Sequence, residues 1–316
     1  MAMSRSAQGY SAALASAVFL STTSIFIRHL VVNFDMPPLV LACWRNIIVV
    51  ATLVPFMLLF NRKLLRIEKV QLPFLAIFGM MLAGFNGFWA ISVAQNGAAV
   101  ATVMVYCSVA YTAILGWKFL GEGLGAFKFG AIILCLCGCA LISGALNSSA
   151  WQSNLLGVVA GLLTGLCYTA YSLMGRLSSE RGISPWTTLL YIFAFAGVFL
   201  FLANLTGGWL PGSAVAPKDM FWLGNSVEGW TVMILLGAIP TVGGYGFYNV
   251  SLALLDASVA NIIVSLEPLF TAILAFMLLG ETLTSVQLLG SALLLSGVAA
   301  IKLADLRRPL PVPQEA

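Results

Sequence analysis

Two ionisable side chains, Arg45 and Glu267, lie well inside long apolar stretches of this 316-residue chain. On insertion scales, a charge at such depth costs about 2.5–3.5 kcal/mol, so each needs a partner or a wet cavity. Glu267 precedes Pro268, about ten residues into its run. Proline donates no backbone hydrogen bond and tends to kink a helix, freeing a carbonyl in the turn before it. The pair sets a carboxylate beside exposed backbone. It can hold an ammonium group or a proton, or it is a structural acid bonded to neighbouring helices.

Arg45 lies about two turns from the outer end of its run. It could meet a carboxylate, but the expected arrangement is snorkelling outward or pairing with another helix, its own helix being peripheral. Arg28 and His29 close the first run. A lone His there is a poor metal site, so the two read as a solvated helix end or as a proton-sensitive gate. A larger set is amphipathic: Asn86, Trp89, Tyr106, Tyr111, Tyr168, Tyr171, Tyr245, Tyr248 and Asn249. Hydroxyls and amides at that depth need partners, which either a cavity holding water and ligand or local bonds between packed helices supplies.

The elements that carry these residues follow from composition. Hydrophobic residues make up 60% of the chain and charged residues 8%, against about 45–50% and about 25% in soluble domains. That is an all-α integral membrane protein: the runs suit helices crossing a core roughly 30 Å thick, not barrel strands. Ten runs can be read, at 10–30, 39–60, 72–94, 98–119, 126–145, 154–175, 186–206, 229–250, 257–279 and 285–303. Gln95-Asn96-Gly97 and the stretch at Asp256 are too short for anything but tight hairpins. The first run is too long for a signal-peptide core and reads as an uncleaved helix.

With the N-terminus in the cytoplasm, the inner segments carry Arg5, Arg62, Lys63, Arg66, Lys69, Lys118, Lys128, Arg176, Arg181, Lys302, Arg307 and Arg308, and the outer ones only Arg28 and Lys218. This positive-inside bias places both termini in the cytoplasm. The net charge of +4 thus faces lipid headgroups and calls for no nucleic acid. Cys43, Cys107, Cys135, Cys137, Cys139 and Cys167 sit within runs as small packing residues. The Cys135-Leu136-Cys137-Gly138-Cys139 spacing sends alternate thiols to opposite helix faces, so it forms no tetrahedral metal site. No disulfide framework and no cofactor is implied. The outer connection 207–228, with Trp209 and Trp222, suits a loop resting at the membrane interface.

An internal repeat organises the runs. Windows 87–122 and 246–281 are identical at 15 of 36 positions, ending in Gly121-Glu122 and Gly280-Glu281. Five crossings separate the copies, so the halves are inverted: 1–150 and 151–316, each of five helices. A weaker echo offset by 148 pairs Gly9 with Gly157, Ser24 with Ser172, Arg28 with Arg176 and Pro37 with Pro185. Asn86 and Trp89 fall at nearly matching repeat positions to Tyr245 and Tyr248, whereas Ser108-Val109 stands where the second half has Glu267-Pro268. Glu122 and Glu281 read as boundary and loop-fixing residues touching lysines or headgroups. Gly157, Gly161 and Gly165 form a close-packing ridge, and Gly243, Gly244 and Gly246 could bend the eighth helix or admit a ligand to its backbone.

Ten helices in inverted halves, with Glu267-Pro268-Leu269-Phe270-Thr271-Ala272-Ile273-Leu274 followed by Gly280-Glu281, resemble the EamA-type branch of the drug/metabolite transporter superfamily. Within it the chain is most similar in appearance to bacterial exporters of amino acids, aromatic ones included. The resemblance implies secondary export of small amphipathic metabolites across the bacterial inner membrane by alternating access, with helices 1, 3, 4, 6, 8 and 9 lining a cavity. It leaves monomer and homodimer open. Drugs, nucleotide sugars or phosphorylated metabolites are the alternatives within the superfamily, but such anions call for several inward cations. A membrane-embedded enzyme would need a convergent catalytic set, and a scaffold would have no use for inverted halves. No phosphate-cradling Gly-x-x-x-x-Gly-Lys-Ser/Thr loop occurs.

Overall fold

The computed structural model describes residues 5–108, 110–111, 114, 126–142, 148–254, 260 and 263–306. The first repeat contributes α1 (Arg5–Phe34), α2 (Pro38–Phe60), α3 (Leu72–Asn96), α4 (Ala98–Val105) and α5 (Ala126–Ile142). The second contributes α6 (Ser148–Glu180), α7 (Pro185–Asn204), α8a (Val227–Leu236), α8b (Val242–Leu254), α9 (Glu267–Leu279) and α10 (Ser285–Leu306). Among the described residues, six helical spans are long and apolar enough to cross a membrane, with shorter apolar helices at Phe129–Gly138, Glu267–Leu279 and Ser285–Ala300. The chain is a multi-pass, all-α membrane protein. Prolines open α2, α3 and α7, where the missing N–H would be unsatisfied in any case.

Packing follows the repeat. Helices α2 and α7 pack together, as do α4 and α9, and α5 and α10, so each meets its counterpart in the other half. The remaining large contacts include α3 with α6 and α1 with α8b, which are exchanged when the halves are exchanged. Small residues let the backbones approach. A Cβ on Gly138 would strike Leu294 and the Gly290 carbonyl, and one on Gly297 the Ala131 carbonyl. The α6 ridge works the same way: Gly157 faces Gln95 and Asn96, Gly161 faces Met104 and Ser92, and Gly165 faces Cys107 and Ser108.

Several expectations change. Pro268 does not kink a continuous helix; it stands in the first turn of α9, after a break at Ser265-Leu266. The first half breaks at the equivalent Tyr106-Cys107, although it has no proline there. The bonds match as well, Cys107 N donating to Met104 O and Leu266 N to Ile263 O, both at 3.1 Å. The break belongs to the repeat. Glycines of α8b approach α1 and α7 instead of a ligand: Gly244 meets Leu20, Gly243 meets Phe19 and Gly246 meets Trp186. Between α8a and α8b the chain widens into a π-turn, Gly237–Thr241, around Pro240. Trp222 of the 207–228 connection donates to the Phe34 carbonyl at 2.8 Å, while Trp209 is exposed. Cys43, Cys135, Cys137 and Cys167 are free thiols, whereas Cys107 is disulfide-bonded, which the composition did not suggest. The turn at Asp256 and Glu122 lie outside the described residues.

The ridge generates a prediction. Gly161→Leu, which overpacks the α6 seam, should cost about 1–3 kcal/mol and lower the melting temperature in detergent. Gly130→Leu, where an added Cβ meets nothing within 4 Å, should leave it unchanged.

Candidate functional site

Three polar features meet the apolar interior. The first is Arg45 on α2. It is 0% exposed, which rules out snorkelling, and it turns inward to pair with α3. Its Nη2 donates to Asn86 Oδ1. Asn86 Nδ2 donates in turn to Asn46 Oδ1 at 3.1 Å, and Asn46 Nδ2 to the Ala42 carbonyl at 2.7 Å. The guanidinium lies over Trp89, 5.1 Å from the ring centroid.

From Trp89 a column of rings runs through the space between the halves. Trp89, Phe85, Tyr168, Tyr171, Tyr245 and Phe193 follow one another with centroid separations of 5.3 to 6.2 Å. These rings come from α3, α6, α8b and α7. Tyr248 joins by a hydrogen bond with Tyr168. The rings pack on one another; where an open cavity was expected, Trp89, Tyr171, Tyr245 and Tyr248 are each at most 5% exposed. A recess beside the column is lined by Phe78, Tyr171, Ser178, Thr188 and Asn249 among others. Tyr111 stands apart from the column, against Gly165 of α6.

The second feature is the helix break. Pro268 has no N–H for the Val264 carbonyl, and the Tyr106 hydroxyl donates to that carbonyl instead, at 2.9 Å. The same hydroxyl lies 3.1 Å from Glu267 Oε2. Tyr106 closes α4 and Glu267 opens α9, so this contact joins the two broken helices across the repeat interface. Glu267 is partly buried.

The third lies at the α3–α4 hairpin. Arg28 Nε pairs with Glu281 Oε1 at 3.0 Å, the one ion pair among the described residues. Arg28 Nη1 donates to the Ala94 carbonyl at 2.6 Å, at the C-terminal end of α3. Glu281 accepts from the Ala98 amide (3.0 Å to Oε2) and, more weakly, from Ala99 (3.5 Å), at the N-terminal end of α4. Gly97, at φ +83°, turns the chain so tightly that a Cβ there would press on the Glu281 carboxylate. The cation thus sits at a helix's negative end and the anion at a positive one. Glu281 fixes the α3–α4 hairpin through an arginine and backbone amides, and Arg28 is held by an ion pair and the α3 carbonyls. His29 takes no part: its Nδ1 lies 2.8 Å from Asn33 Nδ2, one turn on.

Asn86, Trp89, Tyr168, Tyr171, Tyr245 and Tyr248 converge, Tyr106 and Glu267 meet, and Tyr111, Asn249 and His29 lie to the side. One partner escaped the sequence reading: Asn46 gave no signal, being one amide among many. Of the two arrangements expected for Arg45, pairing with another helix is the one found, and snorkelling is not.

Duplicated helical halves, each broken at the same point and enclosing a polar, aromatic interior, define an integral membrane protein of the transporter type. The EamA-like transporter family profile matches residues 7–144 and 155–303, and the chain belongs to that family. An uncharacterized transporter of Archaeoglobus fulgidus is 25% identical over 290 residues, 92% of this chain and 94% of that protein. The uncharacterized transporter sll1319 of Synechocystis is 26% identical over 67% of this chain, a match that spans only 60% of its own length. The threonine/homoserine exporter RhtA of Escherichia coli K12 is 25% identical over 71% of this chain and 69% of its own. One solved crystal structure superposes with a TM-score of 0.56 at 16% identity, covering 93% of this chain and 99% of that one. At that identity, it supports the fold alone.

The polarity of the hairpin pair is testable. Arg28→Ala or Glu281→Ala should each lower detergent stability, by about 1 kcal/mol for so partly exposed a pair. The double swap Arg28→Glu with Glu281→Arg should not restore it, because each charge then faces the wrong helix end. Recovery in the swapped protein would show that the helix termini contribute nothing.

Proposed function

We propose that this chain is a secondary exporter of small amphipathic amino acids, aromatic ones included, which rocks one five-helix half against the other around the Tyr106–Glu267 contact. The observation that carries this reading is the carboxylate of α9, held by a tyrosine of α4 where both helices are broken. Discontinuous helices at a repeat interface are where transporters of this architecture hold substrate or coupling ion. Glu267 takes the substrate ammonium or a coupling proton, and the ring column takes the side chain. The name of the Escherichia coli relative, a threonine/homoserine exporter, supports the amino-acid class. Both termini face the cytoplasm of a bacterial inner membrane in this reading, following the positive charge of the inner segments. The Arg28–Glu281 pair then closes the outer end, so the packed rings belong to a state shut on that side. His29 stays a neighbour of that gate.

Purified protein in liposomes should carry a labelled amino acid, with other amphipathic amino acids competing. Glu267→Gln removes a charge-assisted bond worth about 1.5–3 kcal/mol, so flux should fall roughly ten- to hundredfold and lose its pH dependence. Unchanged flux and pH profile would leave Glu267 a structural acid. No flux of any amino acid in the wild type would end the export reading.

A further inference from the structure

Arg45 is a fully buried cation with more hydrogen-bond capacity than the structure uses. Its Nη2 is engaged by Asn86, but Nε and Nη1 have no partner. The buried Nε1 of Trp89, the ring on which the guanidinium rests, is also unpartnered. Buried donors are nearly always satisfied, and a buried charge far more so. The Glu281 carboxylate is taken by Arg28. The electrostatic neighbour of Arg45 is the Tyr245 hydroxyl. Guanidinium Nη2 carries two hydrogens, and Asn86 uses one. One edge of the fork therefore remains a two-pronged donor, a geometry that matches a carboxylate.

We infer that Arg45 and Trp89 form a carboxylate subsite at one end of the ring column. The substrates of this protein then carry a carboxylate beside an aromatic or aliphatic body, which the rings from Phe85 to Tyr245 receive. A phosphate, with up to two charges, would want further cations at this point, and among the described residues Arg45 is the one cation packed against the column. Asn86 acts as a positioning residue: Asn46 fixes its amide, which turns the guanidinium toward Trp89. The inference deepens the export reading and rests on it for transport, though not for binding. Tyr245 lies within electrostatic range of both Arg45 and Glu267.

Binding separates the two claims. The test is thermal stability and tryptophan fluorescence of the full chain in detergent, titrated with phenylacetate, L-phenylalanine and L-phenylalaninamide. Phenylacetate and phenylalanine should each stabilise the protein, and the amide should be at least about tenfold weaker. Arg45→Gln should abolish the phenylacetate response. Trp89→Phe keeps the ring but removes the N–H, and should weaken it about three- to tenfold. Should Arg45→Gln fail to fold, the Trp89 variant and the comparison of acid with amide still decide. Equal response to phenylacetate and the amide, or no response to phenylacetate in the wild type, overturns the subsite. So does an equal response to chloride, which would make the site one for a resident anion. Phenylacetate binding with no amino-acid flux in liposomes would keep the subsite and reject the export reading.

Discussion

Inside hydrocarbon, a backbone polar group left without a partner costs several kcal/mol, and no water is at hand to relieve it. A helix can be broken there only if other protein groups take over the freed bonds. Among the described residues, α4 and α9 are bounded by such breaks, at Tyr106-Cys107 and Ser265-Leu266. The Val264 carbonyl that Pro268 leaves open is filled by the Tyr106 hydroxyl, so the repair of one break comes from the residue at the other. That single bond ties α4 to α9, sets Glu267 against Tyr106 and seats the ionisable group in the interface between halves. Pro268 frees that carbonyl, and the break before it sets Glu267 in the opening turn of α9 beside it.

Around this contact the halves are alike in frame and unlike in content. Exchanging them swaps α3–α6 with α1–α8b and leaves α2–α7, α4–α9 and α5–α10 in place. A two-fold relation of this kind lets one half rock on the other while the same surfaces stay packed. The side chains at equivalent positions break the symmetry. With offsets of 148 on the second helices and 159 on the third, Arg45 and Asn86 correspond to Phe193 and Tyr245. In one half the pair is a guanidinium on an amide; in the other it is two rings edge to face, 5.3 Å apart. The interior between the halves therefore presents polar donors on one side and aromatic surface on the other. The duplication supplies the common frame, and the mismatch makes its two sides chemically unlike.

Much of this was legible from residue order. Run length and charge scarcity define the spans, because a bilayer imposes both, and counting crossings between the Gly-Glu pairs yields the inverted halves. Pro268 announced the freed carbonyl. What escaped was rotation. In lipid, the outward face of a helix is as apolar as the inward one, so no periodicity tells α2 which way to aim Arg45. Snorkelling and pairing with another helix are both open to that side chain in the sequence, and the structure shows it paired and fully buried. The break at Tyr106-Cys107 was silent for a related reason: no proline marks it, and only its equivalence to Ser265-Leu266 makes it intelligible. Glu281 is legible as a boundary and loop-fixing residue, but its partner Arg28 stands 253 positions away and is not.

The two ends of α9 link these observations. Glu267 opens the helix and contacts Tyr106; Glu281 follows the Gly280 cap and holds Arg28 and the amides of α4. Both contacts join α9 to α4, one at each end of a stiff segment. Tilting α9 away from α4 far enough to free one carboxylate strains or frees the other, because a short helix transmits rotation better than it bends. Releasing Glu281 uncaps α4 and leaves Arg28 with only the α3 carbonyls. Releasing Glu267 exposes the Val264 carbonyl again. The cost of parting α9 from α4 is thus shared between an ion pair at one end and a hydrogen bond at the other, because two acids flank one helix.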